Sequence, residues 1–315
     1  MTAIAFGAIL PILIIFVLSK VLYLHDRQGE TVELVEEDEI EYQHTIAVLL
    51  SDKIVSNMTL NNYLVGVVLR EMPADFEMDA LKAQAVVART YALNRQQNGG
   101  KHSDADICTD SNCCQGYISL EEYLSSGGSQ KSIDRVKEAV TETDNIVAIY
   151  DGKLIEATYF SCSGGMTEDA VAVWGSDLPY LKATESPGEE SATHYTDTYQ
   201  YSATEFAALL GRSLSGPPGT WIESVSYTGG GGVDEMRICG EVYKGTDLRT
   251  KLKLRSTAFV ISAVGDTITI TTKGFGHRVG MSQYGADAMA VAGYDYREIL
   301  LHYYQGIELA HYEYG

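Results

Sequence analysis

The chain has 315 residues, of which 43 are acidic and 23 basic, so its formal charge at neutral pH is −20. A balance this acidic argues against a nucleic-acid-binding protein and against adsorption to an anionic membrane surface, because both need clustered Lys and Arg. The length allows two domains or one domain with insertions, and 30 Gly with only 6 Pro and no repeat period argue against a solenoid, a collagen or a disordered chain.

The N-terminal residues 2–19 form an unbroken run of apolar and small side chains, which continues over 21–24 after Lys20. About 20 such residues cross a bilayer as a helix. A cleaved signal peptide would need a basic residue before the run and a small-residue cleavage site after it, and the sequence has neither. We therefore predict an uncleaved transmembrane anchor over 1–24. Lys20 and Arg27 lie after the apolar run and favour a cytoplasmic location for the rest of the chain, which conflicts with the outward location adopted below.

Seven of the residues between 30 and 41 are acidic, a pattern typical of a self-repelling, solvated linker. We predict that this linker spans 25–43 and holds a globular part, 44–315, away from the membrane.

The globular part mixes helical and strand-like segments without a regular β-α alternation, which favours the α+β class. Apolar spacing predicts helices over 60–70, 79–97, 132–143, 204–210, 281–292 and 296–304. Strand patterns predict a strand over 45–55, a hairpin of 146–149 with 154–160, and several strands within 222–272. Asn61 and Asn62 are candidate caps of the first of these helices.

Glu71 lies at a predicted helix end, just before Met72 and Pro73. The negative end of the helix dipole disfavours its charged form there, and partial burial would raise its pKa further, as a general acid near neutral pH requires. The alternative is an ordinary solvated glutamate at a helix end.

Lys82 and Arg89 lie seven residues apart in an Ala-rich predicted helix, so both fall on one face, about 10 Å apart. Such a pair could hold an anionic or strongly polar ligand. Structural pairing with nearby acids such as Asp79 is the alternative.

The cysteines are odd in number, and three of the five crowd one short segment, so they do not form a disulfide framework. His102, Cys108 and Cys114 follow one another at equal spacing in a polar segment, and imidazole and thiolates are the ligands that zinc prefers. A Cys108–Cys114 disulfide and simple free thiols are the alternatives.

Several blocks of the sequence carry a resemblance to a known family. They are residues 63–68, 71–73, 80–92, 159–168, Trp174 with 179–181, 254–257 and 274–286. These blocks occur in the same order as in the SpoIID/LytB family, and the chain resembles that family over nearly the whole globular part. The resemblance is weakest in a strand-rich subregion at about 195–260, where Gly229–Gly232 and Cys239 have no assigned role.

This resemblance implies a membrane-anchored lytic transglycosylase of sporulation. Such an enzyme cleaves peptidoglycan glycan strands, preferably stripped of stem peptides, between N-acetylmuramic acid and N-acetylglucosamine, and leaves a 1,6-anhydro end. The implied partners are stage II sporulation protein P, which strips the strands, and stage II sporulation protein M. The implied location is the mother-cell membrane, with the catalytic part facing the space between the membranes during engulfment.

The resemblance also implies roles for individual residues. Glu71 matches the catalytic glutamate, which needs no second carboxylate when the sugar's own C6 hydroxyl is the nucleophile. Lys82 and Arg89 match positions important for activity. We expect these two side chains to contact the substrate or structural acidic residues rather than Glu71, because a cation in contact with Glu71 would lower the pKa of its carboxyl group.

Further positions are assigned in the same way. The expected glycan-binding residues are Ser161, Ser163, Gly164, His277, Ser282 and Gln283. Some clostridial members resemble this chain in binding zinc through His and two Cys, which favours zinc at His102, Cys108 and Cys114 as a loop clamp rather than a catalyst. This chain departs from the family with Cys162 in place of a more common Thr, and with Arg278 in place of a small Gly, which would narrow the cleft or add a substrate contact.

Two other functions are alternatives. The second branch of the family consists of amidase enhancers, which would bind glycan without cleaving it; the intact Glu71-Met72-Pro73 favours the enzyme. A peptidoglycan peptidase with Cys162 as nucleophile and His277 as base would leave the Glu71 block unexplained.

Overall fold

The computed structural model of the chain describes residues 24–25, 31–32, 44–51 and 53–314. It divides into two compact units, 1–42 and 43–315. In the first unit, strands β1 (Leu24–His25) and β2 (Thr31–Val32) pair antiparallel. The predicted membrane anchor, apart from Leu24, and most of the predicted acidic linker lie outside the described residues. Among the described residues, none of the helices combines the length and apolar character that a membrane span needs.

The second unit contains both helices and short strands. Its strands are β3 (Thr45–Leu49), β4 (Val55–Thr59), β5 (Ile107–Cys108), β6 (Ile146–Tyr150), β7 (Lys153–Leu154), β8 (Tyr159–Phe160), β9 (Thr196–Ser202), β10 (Ile222–Tyr227), β11 (Val233–Ile238), β12 (Glu241–Lys244), β13 (Phe259–Val264), β14 (Thr267–Lys273), β15 (Met281–Ser282) and β16 (Glu308–His311). Its helices are α1 (Leu60–Glu71), α2 (Met78–Asn98), α3 (Leu120–Ser125), α4 (Gln130–Glu142), α5 (Ala170–Trp174), α6 (Ala203–Leu210), α7 (Gly245–Lys251), α8 (Gln283–Val291) and α9 (Tyr296–Tyr303). The expected α+β class is confirmed.

Helix α2 is the centre of the main core. Its side chains are buried on nearly every side, from Ala80 to Asn94, because it packs against α1, α4, α8, α9 and β6. A helix covered all round needs small apolar residues rather than an amphipathic stripe, and its many alanines satisfy this need. The predicted helix over 79–97 is thus confirmed and ends at Gly99, whose φ is +78°.

The predicted strand over 45–55 is instead a hairpin of β3 and β4. The chain reverses between them, where the Leu50 amide donates to the Ile54 carbonyl at 2.9 Å. The predicted cap of α1 also moves: Thr59 rather than Asn61 or Asn62 caps the helix, and its side chain accepts from the Asn62 amide. Strand β4 therefore runs directly into α1.

A second hydrophobic cluster lies between residues 206 and 270. Its buried members include Phe206, Leu248 and Ile270, contributed by α6, α7 and the sheets β10-β11-β12 and β13-β14-β9, and Trp221, which directly precedes β10. Helix α7 was not predicted, because the surrounding sequence has a strand pattern. This cluster accounts for most of the strand-rich subregion expected at 195–260.

Strand β8 pairs with β15, in parallel, through Tyr159 with Met281 and Phe160 with Ser282. The predicted hairpin of 146–149 with 154–160 is therefore only half right: β6 pairs with β7 and with β16, and the chain then leaves that sheet. The β8–β15 pairing brings the loop after β8 beside the start of α8. Two sequence blocks about 120 residues apart meet there.

Candidate active site

A cleft of about 1060 Å³ opens on the second unit. Its wall includes residues from α1, α2, β8, α5, α7 and the segment that follows β5, and it therefore gathers several of the sequence blocks described above. The lining residues that matter below are Glu71, Cys114, Tyr159, Ser161, His277 and Gln283. Five of the predicted site residues thus line one cleft: Glu71, Cys114, Ser161, His277 and Gln283.

Glu71 is the last residue of α1 and lines this cleft. Burial raises the pKa of its carboxyl group, although an amide donor and the charge of Arg70 partly oppose the rise. The donor is the backbone amide of Gly116, 2.5 Å from Glu71 Oε1. A Cβ at position 116 would lie 2.6 Å from the same oxygen, so a glycine is needed for this approach. The carboxyl group is fixed and partly desolvated, as a general acid requires.

The polar groups behind Glu71 form a buried network. The Tyr159 hydroxyl donates to Gln115 Oε1 at 3.0 Å, and Gln115 Nε2 reaches the Tyr63 hydroxyl and the Ala88 carbonyl. Burial raises the pKa of Tyr159, so it stays a neutral donor at physiological pH. This network holds the segment that carries the Gly116 amide.

Lys82 and Arg89 lie outside the cleft. Lys82 pairs with Glu142 at 2.6 Å. Arg89 has no exposed surface, and its guanidinium donates to the carbonyls of Val140 and Thr143 at 3.1 and 2.8 Å, at the end of α4. The predicted substrate-binding role of Arg89 is therefore corrected to a structural one, because a fully buried guanidinium cannot contact a glycan in the cleft. The alternative of structural pairing holds for Lys82, with Glu142 rather than Asp79 as its partner.

Ser163, Gly164 and Ser282 also turn inward. Glu189 accepts from the Ser163 amide and hydroxyl at 2.9 and 2.6 Å, and from the Gly164 amide at 2.9 Å. The Ser282 hydroxyl donates to the other carboxylate oxygen of Glu189. These three residues were expected to bind glycan, and the correction is that they bind a buried carboxylate, which holds the loop after β8 to the start of α8. Glu189 was missed, since nothing in its neighbourhood in sequence signals this contact.

His277 lines the cleft as a neutral imidazole. Burial and the charge of Arg249 lower its pKa to about 4. Its ring lies against Phe160 and Trp174, with centroids 5.6 and 5.2 Å away, and Nδ1 accepts from the Val279 amide. A ring held in this way is an apolar wall of the cleft rather than a base.

The cysteine–histidine pair of the rival peptidase is not assembled. Cys162 is only 1% exposed, its Sγ lies 3.5 Å from the His194 carbonyl, and burial raises the pKa of its thiol to about 12. A thiol that stays protonated and is covered by protein does not act as a nucleophile. The described residues that line the cleft include His277 but not Cys162.

Arg278 was expected to narrow the cleft or contact substrate, but it is buried. Its guanidinium donates to the carbonyls of Ser163, Met166 and Gly230 at 2.8, 2.6 and 2.7 Å and pairs with Glu168 at 3.4 Å. Glu168 in turn accepts from the Gly232 amide. The glycine-rich turn 229–232, which had no assigned role, is therefore the part of the strand-rich subregion that wraps round this ion pair. A Cβ at Gly230 would lie 2.2 Å from a backbone oxygen, so the close approach requires glycine.

A cluster of one imidazole and three thiols lies beside the cleft. The ligating atoms of His102, Cys108, Cys113 and Cys114 all lie within 4.8 Å of one another. His102 Nε2 is 3.6 and 3.7 Å from the sulfurs of Cys113 and Cys114, which are 3.9 Å apart. Ligands at tetrahedral vertices around zinc would be separated by about 3.6 Å for N to S and 3.8 Å for S to S. The donor set therefore fits a zinc ion, and Cys113 adds a fourth donor that spacing alone did not identify.

The disulfide alternative is not realised, since Cys108 and Cys114 are both free thiols. If zinc occupies the cluster, purified protein is expected to contain about one zinc per chain by elemental analysis. The Cys114→Ser variant should lose the metal, and chelation should lower the melting temperature by roughly 10 °C, because structural zinc stabilises the folded state directly.

The matched control for this measurement is Cys239→Ser, which removes a thiol far along the chain from the cluster and should keep both the metal and the melting temperature. Metal-free protein with an unchanged melting curve, or a mapped disulfide between Cys108 and Cys114, would contradict the zinc assignment.

Comparisons with known proteins place these features in context. A family model described as Stage II sporulation protein, SpoIID, matches residues 51–150. Stage II sporulation protein D of Bacillus amyloliquefaciens is 40% identical over 264 residues, which cover 82% of this chain and 76% of that protein. The protein of the same name from Bacillus subtilis (strain 168) is 38% identical over 260 residues, 81% of this chain and 76% of its own length. An amidase enhancer of Bacillus subtilis (strain 168) is 29% identical over 303 residues, 79% of this chain and 40% of its own length.

Proposed function

Because the chain belongs to the stage II sporulation protein D family, with its role in sporulation, we propose that its cleft is a lytic transglycosylase site that cleaves peptidoglycan glycan strands. The observation that carries this proposal is the carboxyl group of Glu71, which is fixed in the cleft by one amide donor and has a pKa raised by burial. A raised pKa favours the protonated form that a general acid needs.

One carboxyl group is sufficient for this reaction. Glu71 protonates the oxygen between N-acetylmuramic acid and N-acetylglucosamine, and the bond from the muramic C1 to that oxygen breaks. The Glu71 carboxylate then takes the proton of the muramic C6 hydroxyl, whose oxygen bonds to C1 and closes the 1,6-anhydro ring. The proton that was given is recovered, and no water is consumed. Glu156, the other carboxylate that lines the cleft within the described residues, pairs with Arg95 and is not needed as a second catalyst.

The remaining cleft residues supply binding. Ser161 and Gln283 offer a hydroxyl and an amide to sugar groups. Trp174 and His277 offer apolar ring faces, which suit the C–H faces of pyranose rings. Zinc, when bound to His102, Cys108, Cys113 and Cys114, supplies a clamp for the loop that also carries the Gly116 amide.

The cellular setting is part of the same proposal. We place the cleft outside the cytoplasm, joined through the acidic linker to an N-terminal membrane anchor in the mother cell. Stage II sporulation protein P would supply strands freed of stem peptides, and stage II sporulation protein M would complete the complex.

A non-catalytic amidase enhancer is the second candidate, and the 29% identical relative of that name favours it. The two functions differ in their products. Full-length protein in detergent is incubated with denuded glycan strands, and the strands are analysed by mass spectrometry. A lytic transglycosylase leaves 1,6-anhydro ends, which are lighter than the corresponding reducing ends by the mass of one water. Unchanged strands would support the enhancer, and reducing ends without anhydro ends would indicate a hydrolase.

A further inference from the structure

The cleft differs in charge from the rest of the molecule. The chain as a whole carries a formal charge of −20, yet three cationic side chains line the cleft, from Arg95, Lys101 and Arg249. The only carboxylates that line it, within the described part of the chain, are those of Glu71 and Glu156. Cationic residues concentrated in a concave site of an acidic protein favour an anionic group on the ligand.

Two of these three cations are already engaged. Arg95 pairs with Glu156, and its guanidinium lies 4.5 Å from the centre of the Tyr91 ring. The Lys101 ammonium group donates to the carbonyl of Cys113, in the loop of the proposed metal site.

Arg249 is different. It lies on α7, in the strand-rich subregion, and is half-buried. Across residues 44–51 and 53–314 the structure gives its guanidinium neither a hydrogen bond nor an ion pair. A guanidinium that has lost part of its hydration without gaining a partner is well prepared to bind an anion, since a carboxylate fits its fork of donors.

The position of Arg249 also limits what it can do. Its charge acts on His277 and does not contribute to the pKa of Glu71, where Arg70 is the cation that acts. Arg249 is therefore placed to bind a substituent of the glycan without opposing the protonation of the general acid.

We propose that Arg249 binds the lactyl carboxylate of N-acetylmuramic acid and thereby selects strands without stem peptides. This inference rests on the function proposed above. In intact peptidoglycan the lactyl group is joined to the peptide as a neutral amide. Removal of the peptide leaves a carboxylate on every muramic residue, whereas N-acetylglucosamine carries no charge. Arg249 is thus a specificity-determining residue contributed by the subregion in which the family resemblance is weakest.

The test compares two ligands that differ only in this charge. One is a denuded oligosaccharide of alternating N-acetylglucosamine and N-acetylmuramic acid, and the other is the same oligosaccharide with each lactyl carboxylate converted to its methylamide. Binding to the full-length protein carrying Glu71→Gln, which prevents turnover, is measured by calorimetry in detergent. The carboxylate form is expected to bind more tightly, and its advantage should shrink as salt is raised.

Adding Arg249→Ala is expected to weaken binding of the carboxylate form about 10- to 100-fold and to change binding of the methylamide less than about twofold. Arg249→Lys should recover part of the lost affinity, because lysine keeps the positive charge but lacks the paired guanidinium donors that fit a carboxylate. Lys251→Ala, on the same helix but lining a different groove, is the matched control and should change neither affinity.

Equal weakening of both ligands by Arg249→Ala, or no weakening of either, would overturn the role of Arg249 while leaving the proposed function intact. Failure of the protein with native Arg249 to bind either ligand would instead overturn the proposed function, and this inference with it.

Discussion

Replacing Glu71 by Gln is expected to reduce the formation of 1,6-anhydro ends by about 10²–10⁴-fold, the range that general acid–base catalysis contributes. Gln keeps the shape of the side chain and an oxygen that accepts from the Gly116 amide, so the fold should be unchanged. It cannot cycle a proton, and both halves of the proposed reaction depend on that proton. Rates are measured by mass spectrometry of products from denuded strands, with the melting temperature as the check on folding.

The pH dependence follows from the direction of the pKa shift. Burial raises the pKa of Glu71, so the protonated form that serves as the acid persists to higher pH than in an exposed glutamate. Activity should fall as the pH rises through this raised pKa. Glu121→Gln, at an exposed position on α3, is the matched control and should leave both the rate and the pH profile unchanged. Full formation of 1,6-anhydro ends by Glu71→Gln would contradict the assignment of Glu71 as the general acid.

Replacing Arg89 by Ala is expected to lower the free energy of unfolding by about 3–5 kcal/mol, because several buried carbonyls lose a charged donor and a large buried side chain is removed. The guanidinium stabilises the negative end of α4 through the carbonyls of Val140 and Thr143, and it also reaches the Ile146 carbonyl at the start of β6. Alanine would remove the charged donor from these carbonyls and would leave a cavity between α2, α4 and β6. The free energy is measured by denaturant unfolding.

Lys82→Ala provides a comparison on the same helix. Its ion pair with Glu142 is partly exposed, and such pairs contribute about 1 kcal/mol or less. If Arg89→Ala left stability unchanged and instead weakened glycan binding, the structural role given to Arg89 would be wrong.

Lys82 and Arg89 also show what helical periodicity in a sequence can and cannot predict. Spacing by seven predicted that Lys82 and Arg89 share a face of α2, and they do: both point toward α4 and the turn at its C-terminal end. Periodicity specifies which side chains share a face, but it does not specify which element covers that face. The resemblance to the family is confirmed by the relatives, whereas the burial of individual motif residues depends on tertiary packing.

Other residues of the site could be assigned only from the three-dimensional structure, for similar reasons. Cys113 is one of the three cysteines that crowd one short segment, but its place in the cluster depends on how the loop turns at residues 110–114. Glu189 joins residues that are far apart in sequence, so no local pattern reveals it. Arg278 has a φ of +66°, and its side chain is buried in the protein rather than exposed in the cleft. Glu71 could be identified because both of its signals, the helix end and the motif, are local.

The carboxylate of Glu189 has a consequence for how the molecule is made. It joins Ser163, which is 26 residues away, to Ser282, which is 93 residues away, and α8 and α9 then pack on α2 from the other end of the chain. Contacts between such distant segments form late, because the entropy of closing a long loop must be overcome first. A nascent chain that ends before residue 281 would contain Glu71 and its helices but not the wall formed by the β8–β15 pairing. The cleft is thereby complete only after the chain has been synthesised beyond β15.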